Sequence, residues 1–326
     1  MLRLPPFTAA YPGRLNDALD LMAKHGARAA FVAGGTDLYP NMKRRQQTPA
    51  FVIDIRGIPE LSALEVTPAG NLRIGAGVTL TRLIRHPVVR AGWPALLEGA
   101  SSISTPILQN MGTVGGNLLL DTRCNYYDQN YEWRKAIDFC MKKDGKICWV
   151  APSSPRCWAV QSSDLAPVMV ALGASVRLQS PRGERILAAS ALYNDDGIQF
   201  LNKAPDELLV DIEVPAVPGA RATYSKLRRR GAFDFPVLGV AAWIRFSPEG
   251  VVDDARIVLG AVGSFPKSSE EGAAALRGHP LTEESIEAAT RAAARPAKPL
   301  DNTDFTIGWR KDMVSVFVRR ALATLK

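Results

Sequence analysis

The sequence predicts an α+β protein of two domains, on three observations. Short strand-like runs alternate with helical periodicity through the first 120 residues. From residue 175 onward strand-like runs follow one another and a helical tail closes the chain. Within this second stretch, PAVPGA (215–220) concentrates proline and glycine as a boundary between two domains does.

Taken in order, RLNDALDLMAKHG sets Leu15, Ala18, Leu19, Met22 and Ala23 at helical spacing, with Gly26 as a stop signal. AAFVAGGTDLYP reads as a strand ending in two glycines, FVIDI and NLRIGAG as further strands, and TLTRLIRHP and PALLEGASS as helical pieces. SDLAPVMVALGA predicts a helix over 163–174, capped by Ser162 or Ser163, with Asp164 in its first turn and Gly173 near its end. SVRLQS, LLVDIEVP, ATYSKLRRR, VLGVAAWIRF and DDARIVLGAV read as successive strands. EESIEAATRAAAR and GWRKDMVSVFVRRALATL read as helices, the second with a stripe of Met313, Val314, Phe317, Val318 and Leu322 that suits core or interface.

Composition narrows the function classes. With 326 residues, 47% apolar and a net charge of +8, the chain reads as an ordinary globular protein. It has no apolar run of about 18 residues to span a bilayer, and prolines and charges break the start where a signal peptide needs an apolar core. A cytoplasmic protein without membrane contact is expected. Basic residues are spread widely apart from Lys43-Arg44-Arg45 and Arg228-Arg229-Arg230, and no nucleic-acid module is evident, so nucleic acid is not expected as a partner.

Two segments, AGGTDL (33–38) and MGTVGGNL (111–118), concentrate small residues as a phosphate cradle does. Glycine lets backbone N–H groups approach a pyrophosphate, and Thr36, Asp37, Thr113 and Asn117 would add side-chain bonds. Neither segment fits the dinucleotide fingerprint G-x-G-x-x-G, and no P-loop occurs. A tight turn explains one glycine pair; two such loops, each beside hydroxyl and amide or acid groups, favour a ligand.

FVAGGTDLYP, SSIST followed by MGTVGGNLL, SDLAPVMVALGASVRL, DELLVDIEVP and YSKLRRR together resemble, in order over nearly the whole chain, the flavin-binding medium subunits of the xanthine oxidase and carbon monoxide dehydrogenase family. The resemblance implies a PCMH-type (vanillyl-alcohol-oxidase-like) two-subdomain FAD-binding domain over 1–217, with an insert at about 120–160, and a small C-terminal α+β domain of the CO dehydrogenase flavoprotein type over 218–326. It implies FAD contacts from Ala33, Gly34, Gly35, Thr36, Asp37 and Leu38 in the first loop and from Thr113, Gly115, Gly116 and Asn117 in the second, with Ile103 leading to it. Asp164 matches the family acid that meets the cofactor, Leu209 the apolar residue beside the ring system and Lys226 the basic residue near the flavin. Taken alone, Leu209 reads as strand core and Lys226 as a surface lysine.

In that family the second loop runs almost directly into the acid-bearing helix, whereas here 46 residues separate Asn117 from Asp164. All four cysteines lie in this excess, spaced C-x15-C-x7-C-x8-C. Disulfides do not suit a reducing cytoplasm, and structural zinc usually shows C-x2-C pairs that are absent here. Inert thiols would be scattered through the core, and an iron–sulfur cluster tolerates wide spacing when a loop wraps it. Spacing alone leaves cluster and zinc in contention; position beside a flavin favours a one-electron relay. Tyr126, Tyr127, Tyr131, Trp133, Phe139, Trp149 and Trp158 supply apolar walls, while Arg123, Lys135, Lys142, Lys143, Lys146 and Arg156 can offset an anion or simply face solvent.

Within the family, the insert resembles that of the 4-hydroxybenzoyl-CoA reductase branch, which implies a 4Fe-4S cluster on Cys124, Cys140, Cys148 and Cys157. That branch further implies a large molybdenum-cofactor subunit that binds substrate, a small subunit with 2Fe-2S clusters, reduced ferredoxin as electron donor, and a dimer of heterotrimers. Electrons would pass from ferredoxin through 4Fe-4S and FAD to the 2Fe-2S and molybdenum centres, where the hydroxyl is removed to give benzoyl-CoA. No catalytic residue is expected on this chain, whose three histidines are isolated. Two other readings stand beside it: a hydroxylase flavin subunit passing electrons outward to NAD or quinone, and a non-redox nucleotide-binding protein with structural zinc.

Overall fold

The structure is a computed structural model that describes residues 2–326. Strands β1 (Thr8–Ala10), β2 (Ala29–Val32) and β3 (Phe51–Asp54) form a parallel sheet in the order β1-β3-β2. The helix Leu15–His25 connects β1 to β2 and buries Leu15, Ala18, Leu19 and Met22. Gly26 ends it at a φ of 53°, its N–H returning to the Met22 carbonyl. This face packs with Ile53, Ile55, Leu208 and Val210 in one small core.

The second sheet contains β4 (Leu64–Val66), β5 (Leu72–Gly75), β6 (Ser175–Ser180), β7 (Gly183–Ala188) and β8 (Leu208–Val214), ordered β4-β5-β8-β6-β7 and antiparallel throughout. A register shift between Arg177 and Leu178, opposite Asp211 and Leu209, changes the phase of β8. Leu208 and Val210 therefore join the small core, while Ile212 and Val214 join the large one. Central strand β8 thus ties the two subdomains together and sets Leu209 where they meet.

The third sheet holds β9 (Ala220–Leu227), β10 (Leu238–Phe246), β11 (Val252–Gly260) and β12 (Lys267–Ser268), antiparallel in the order β12-β11-β10-β9. Helices Glu283–Ala293 and Ile307–Ala323 cover it, closing a core with Val314, Val318 and Leu322 fully buried and Met313 and Phe317 half-buried. A capping box at Thr282 and Ser285 starts the first of these helices. The expected helix near Asp164 spans Leu165–Ala171; Ser163 Oγ accepts from the Ala166 N–H at 2.9 Å and does the capping. Asp164 is left free for other partners.

Strand β7 was not expected. Its GERILA sequence is mostly exposed and lacks apolar alternation, because it is an edge strand paired with β6 alone. Among the described residues no helix is long and apolar enough to cross a membrane.

The cysteine insert leaves the second subdomain after helix Val114–Leu118 and carries one helix, Tyr131–Ala136. Its base is pinched shut by a reciprocal backbone pair, Arg123 N–H to Val160 O at 2.8 Å and Val160 N–H to Arg123 O at 2.7 Å. The C-terminal domain straps it from outside: Asn125 N–H donates to Asn302 O at 2.9 Å, and Asn302 Nδ2 to Trp158 O at 2.7 Å.

Candidate functional site

A cleft of about 540 Å³ opens between the parallel sheet and the five-stranded sheet. Its walls include Ala33 through Leu38, Ile103, Thr113, Gly115, Gly116, Asn117, Asp164 and Leu209, so thirteen of the fourteen expected cofactor residues line one cavity. Lys226 is the exception. It stands behind Asp164, with Nζ 2.9 Å from Asp164 Oδ2 and 3.0 Å from Ser102 O.

Glycine is required where the two loops meet. A Cβ on Gly34 would lie 1.8 Å from the Met111 carbonyl oxygen, and one on Gly115 2.6 Å from Ala76 Cβ. With the loops in backbone contact, the N–H groups of Gly34, Gly35 and Thr36 donate to no acceptor among the described residues. Three consecutive unpaired amides in residues that line a cleft suit an anion without a basic side chain, and this is the observation that fits a pyrophosphate.

Thr113 and Asn117 have positioning roles. Thr113 Oγ1 accepts from the Gly116 N–H at 3.0 Å and caps the helix Val114–Leu118. Asn117 Oδ1 accepts from Ser163 Oγ at 2.7 Å and from the Leu165 N–H at 3.2 Å, fastening the second loop to the helix beyond the insert. Insertion of the cysteine segment therefore leaves the loop and the Asp164 helix in contact.

Asp164 accepts from Lys226 and from Tyr224 Oη at 2.8 Å, with the Asp164 and Lys226 side chains each 3% exposed. Burial pushes the Asp164 carboxyl up and the Lys226 amine down, and each charge opposes the other's shift. Asp37 also has its carboxyl pushed up by burial, countered by Arg123, to which it is ion-paired. Its Oδ2 accepts from Asn41 Nδ2 at 3.2 Å and the Asp121 N–H at 3.3 Å.

Several lining residues carried no recognisable sequence signal. Lys203 lines the cleft, its amine pushed down to about 8 by burial and bonded to the carbonyls of Ala204 at 2.9 Å and Glu207 at 2.7 Å. Phe233 and Phe235 stand exposed at the lining, held by the Phe233 N–H to Ser104 O bond of 3.0 Å. Phe-Asp-Phe after three arginines is a usable signal only in hindsight of this loop. Arg123 and Arg44 also line the cleft, and Arg123 stacks over Phe235 at 4.1 Å.

All four cysteines are buried within the insert, and Cys124, Cys140 and Cys157 share one small apolar cluster. Burial pushes the Cys124 thiol up to about 12, with the neighbouring Cys140 and Cys148 adding to the shift. The Cys148 thiol is pushed down by the neighbouring Cys157 and by the N–H groups of Trp158, Ala151 and Val150. Further backbone N–H groups face the other sulfurs: Tyr126 toward Cys124, Lys142 and Lys143 toward Cys140, Ala159 toward Cys157 at 3.4 Å. Amides pointed at sulfur stabilise thiolate over thiol. No three His, Cys, Asp or Glu side chains among the described residues are arranged to hold one metal ion. Four buried thiols in one insert are the donor number that an iron–sulfur cluster takes.

A glycine-lined cleft between two subdomains, followed by an α+β domain, defines a nucleotide-cofactor-binding subunit of modular build. Residues 5–217 match the family described as FAD binding domain in molybdopterin dehydrogenase, and residues 222–325 match the CO dehydrogenase flavoprotein C-terminal domain. The chain is 35% identical over 255 residues to the aldehyde oxidoreductase FAD-binding subunit PaoB of Escherichia coli, covering 76% of this chain and 78% of that one. It is 28% identical to the carbon monoxide dehydrogenase medium chain of Hydrogenophaga pseudoflava, over 98% of this chain and 96% of that one. A solved structure of carbon monoxide dehydrogenase from the same organism superposes with a TM-score of 0.81 at 28% identity, covering 99% and 98% of the two chains. The chain belongs to the FAD-binding subunits of the molybdenum hydroxylase family.

Proposed function

We propose that this subunit carries a 4Fe-4S cluster on Cys124, Cys140, Cys148 and Cys157 beside its FAD, and that it is the electron-transfer subunit of a 4-hydroxybenzoyl-CoA reductase. The observation that carries the cluster is the burial of all four thiols in one insert with backbone N–H groups turned toward each sulfur. When bound, the flavin supplies an exchange between one- and two-electron chemistry and the cluster a one-electron carrier beside it.

This chain's residues do the holding. The free amides of Gly34, Gly35 and Thr36 bind the pyrophosphate, Thr113 and Asn117 fix the second loop, and Leu209 and Ile103 give the ring system an apolar wall. Asp164 meets the cofactor edge with its charge set by Lys226, which acts through it. Arg123 joins the first loop to the root of the insert. Substrate and molybdenum belong to a large partner subunit, 2Fe-2S clusters to a small one, and ferredoxin is the proposed donor, in a dimer of heterotrimers.

A second reading is favoured by the 35% identity to an aldehyde oxidoreductase subunit: the complex oxidises its substrate, and electrons leave through this chain. Assay of the purified complex separates the two. The reductase reading expects reduced ferredoxin to drive loss of 4-hydroxybenzoyl-CoA; aldehyde oxidation with electrons delivered outward, and no ferredoxin-driven dehydroxylation, would assign the second.

A further inference from the structure

The helix Tyr131–Ala136 buries the guanidinium of Arg134 completely, at 0% exposure. Its Nη2 donates to the carbonyls of Arg44 at 3.1 Å and Arg45 at 3.2 Å, while Nε and Nη1 find no hydrogen-bond partner. The carboxylate within ion-pair reach is that of Asp144, at 3.8 Å and 40% exposed, and it is shared with Lys143 at 3.3 Å. The rings of Tyr131 and Phe139 lie about 6 Å away, at 6.0 and 5.9 Å. The other buried cation of the insert, Lys142, is satisfied by Asp121 and Thr122 at 2.8 Å and by the Gly197 carbonyl at 2.7 Å.

Burying a guanidinium with two empty donor positions is costly unless an anion nearby offsets it. Cys140 lies between two points of contact with Arg134: the N–H of Phe139 just before it donates to the Arg134 carbonyl at 2.6 Å, and Asp144 after it forms the ion pair. The turn holding Cys140 also holds Asp144, since the N–H groups of Lys143 and Gly145 both return to the Cys140 carbonyl, at 2.9 and 3.0 Å.

We infer that Arg134 is a positioning residue that raises the reduction potential of the cluster carried by this insert, with Asp144 opposing it; this rests on the cluster reading above. Reduction places one more electron on the cluster, and no bond or proton need change. A fixed buried cation stabilises the reduced, more negative form more than the oxidised one, because the interior screens it weakly. A partly exposed carboxylate beside the cation cancels some of that field.

The test uses the complete complex, purified anaerobically, with iron and sulfide counted and the cluster potential read by EPR-monitored titration alongside the flavin potential. Arg134→Met should move the cluster to a more negative potential and leave the flavin where it was, and Arg134→Lys should restore much of the shift. Asp144→Asn should move the cluster the opposite way. Asp144 has a φ of 69°, a backbone state asparagine accepts, so this variant folds even where Arg134→Met sheds its iron. Full iron with unmoved potentials, or shifts of the same sign in Arg134→Met and Asp144→Asn, would overturn the role of Arg134. Absence of iron and sulfide from this subunit in the wild-type complex would overturn the cluster reading and this inference with it.

Discussion

The carboxylate of Asp37 is ion-paired with the guanidinium of Arg123, which joins the first glycine loop to the residue before Cys124. Their side chains are 28% and 11% exposed, and Arg123 also reaches Asp128 at 3.4 Å. The cleft and the cysteine insert therefore share a charged hinge pin, and disturbing one end is felt at the other.

Arg123→Met leaves Asp37 half-buried without its cation. The cost is about 2 kcal/mol. Flavin content after gel filtration should fall, and the midpoint of thermal unfolding should drop; Asp37→Asn should cost less, because it removes the charge that needed a partner. Unchanged flavin content in Arg123→Met would show that the pin does not hold the loop.

Asn117→Ala strands the Ser163 hydroxyl and the Leu165 N–H, both of which the Asn117 oxygen accepts. Losing acceptors for buried donors costs about 1–3 kcal/mol, and the second loop should release FAD more readily. Asn117→Asp retains the acceptor, so its flavin retention should lie closer to wild type in a dialysis assay.

Lys226→Met leaves Asp164 in a site only 3% exposed with no counter-charge. Breaking such a pair from one side costs about 3–5 kcal/mol. Adding Asp164→Asn should recover most of that stability, measured by denaturant unfolding of the complex, because neither charge then remains. A double variant as unstable as the single would place the effect outside the pair.

The turn over residues 203–207 should loosen in acid. Glu207 accepts from Arg185 at 2.5 and 2.9 Å and from the Ala204 N–H at 2.6 Å, and the Arg185 bonds hold its carboxyl below its ordinary value of 4.5. A depressed carboxylate contributes its stability above the unfolded value and loses it as pH falls through the folded one. Thermal stability should therefore fall below about pH 4.5, and Glu207→Gln should flatten that acid limb.

Much of this arrangement was legible in the sequence because it rests on local chemistry. Glycines at 34, 35, 115 and 116 mark the loops since nothing larger fits between Gly34 and Met111 or between Gly115 and Ala76. The apolar strands near Leu209 and Ile257 announce themselves by composition. The exposed edge strand Gly183–Ala188 does not, since its pairing with β6 is fixed by backbone bonds rather than by side chains. Likewise Lys226, which taken alone reads as a surface lysine, is buried with its Nζ 2.9 Å from Asp164 Oδ2. Arg134 carries no signal in the sequence, and only its burial against the Arg44 and Arg45 carbonyls reveals it.

The most direct test of the account is a count of iron, acid-labile sulfide, zinc and FAD in the anaerobically purified complex, wild type against Cys140→Ser. The account predicts that the variant loses about four iron and four sulfide per copy of this subunit while keeping its FAD. An unchanged iron count, or one zinc in this subunit with no sulfide to lose, would contradict it.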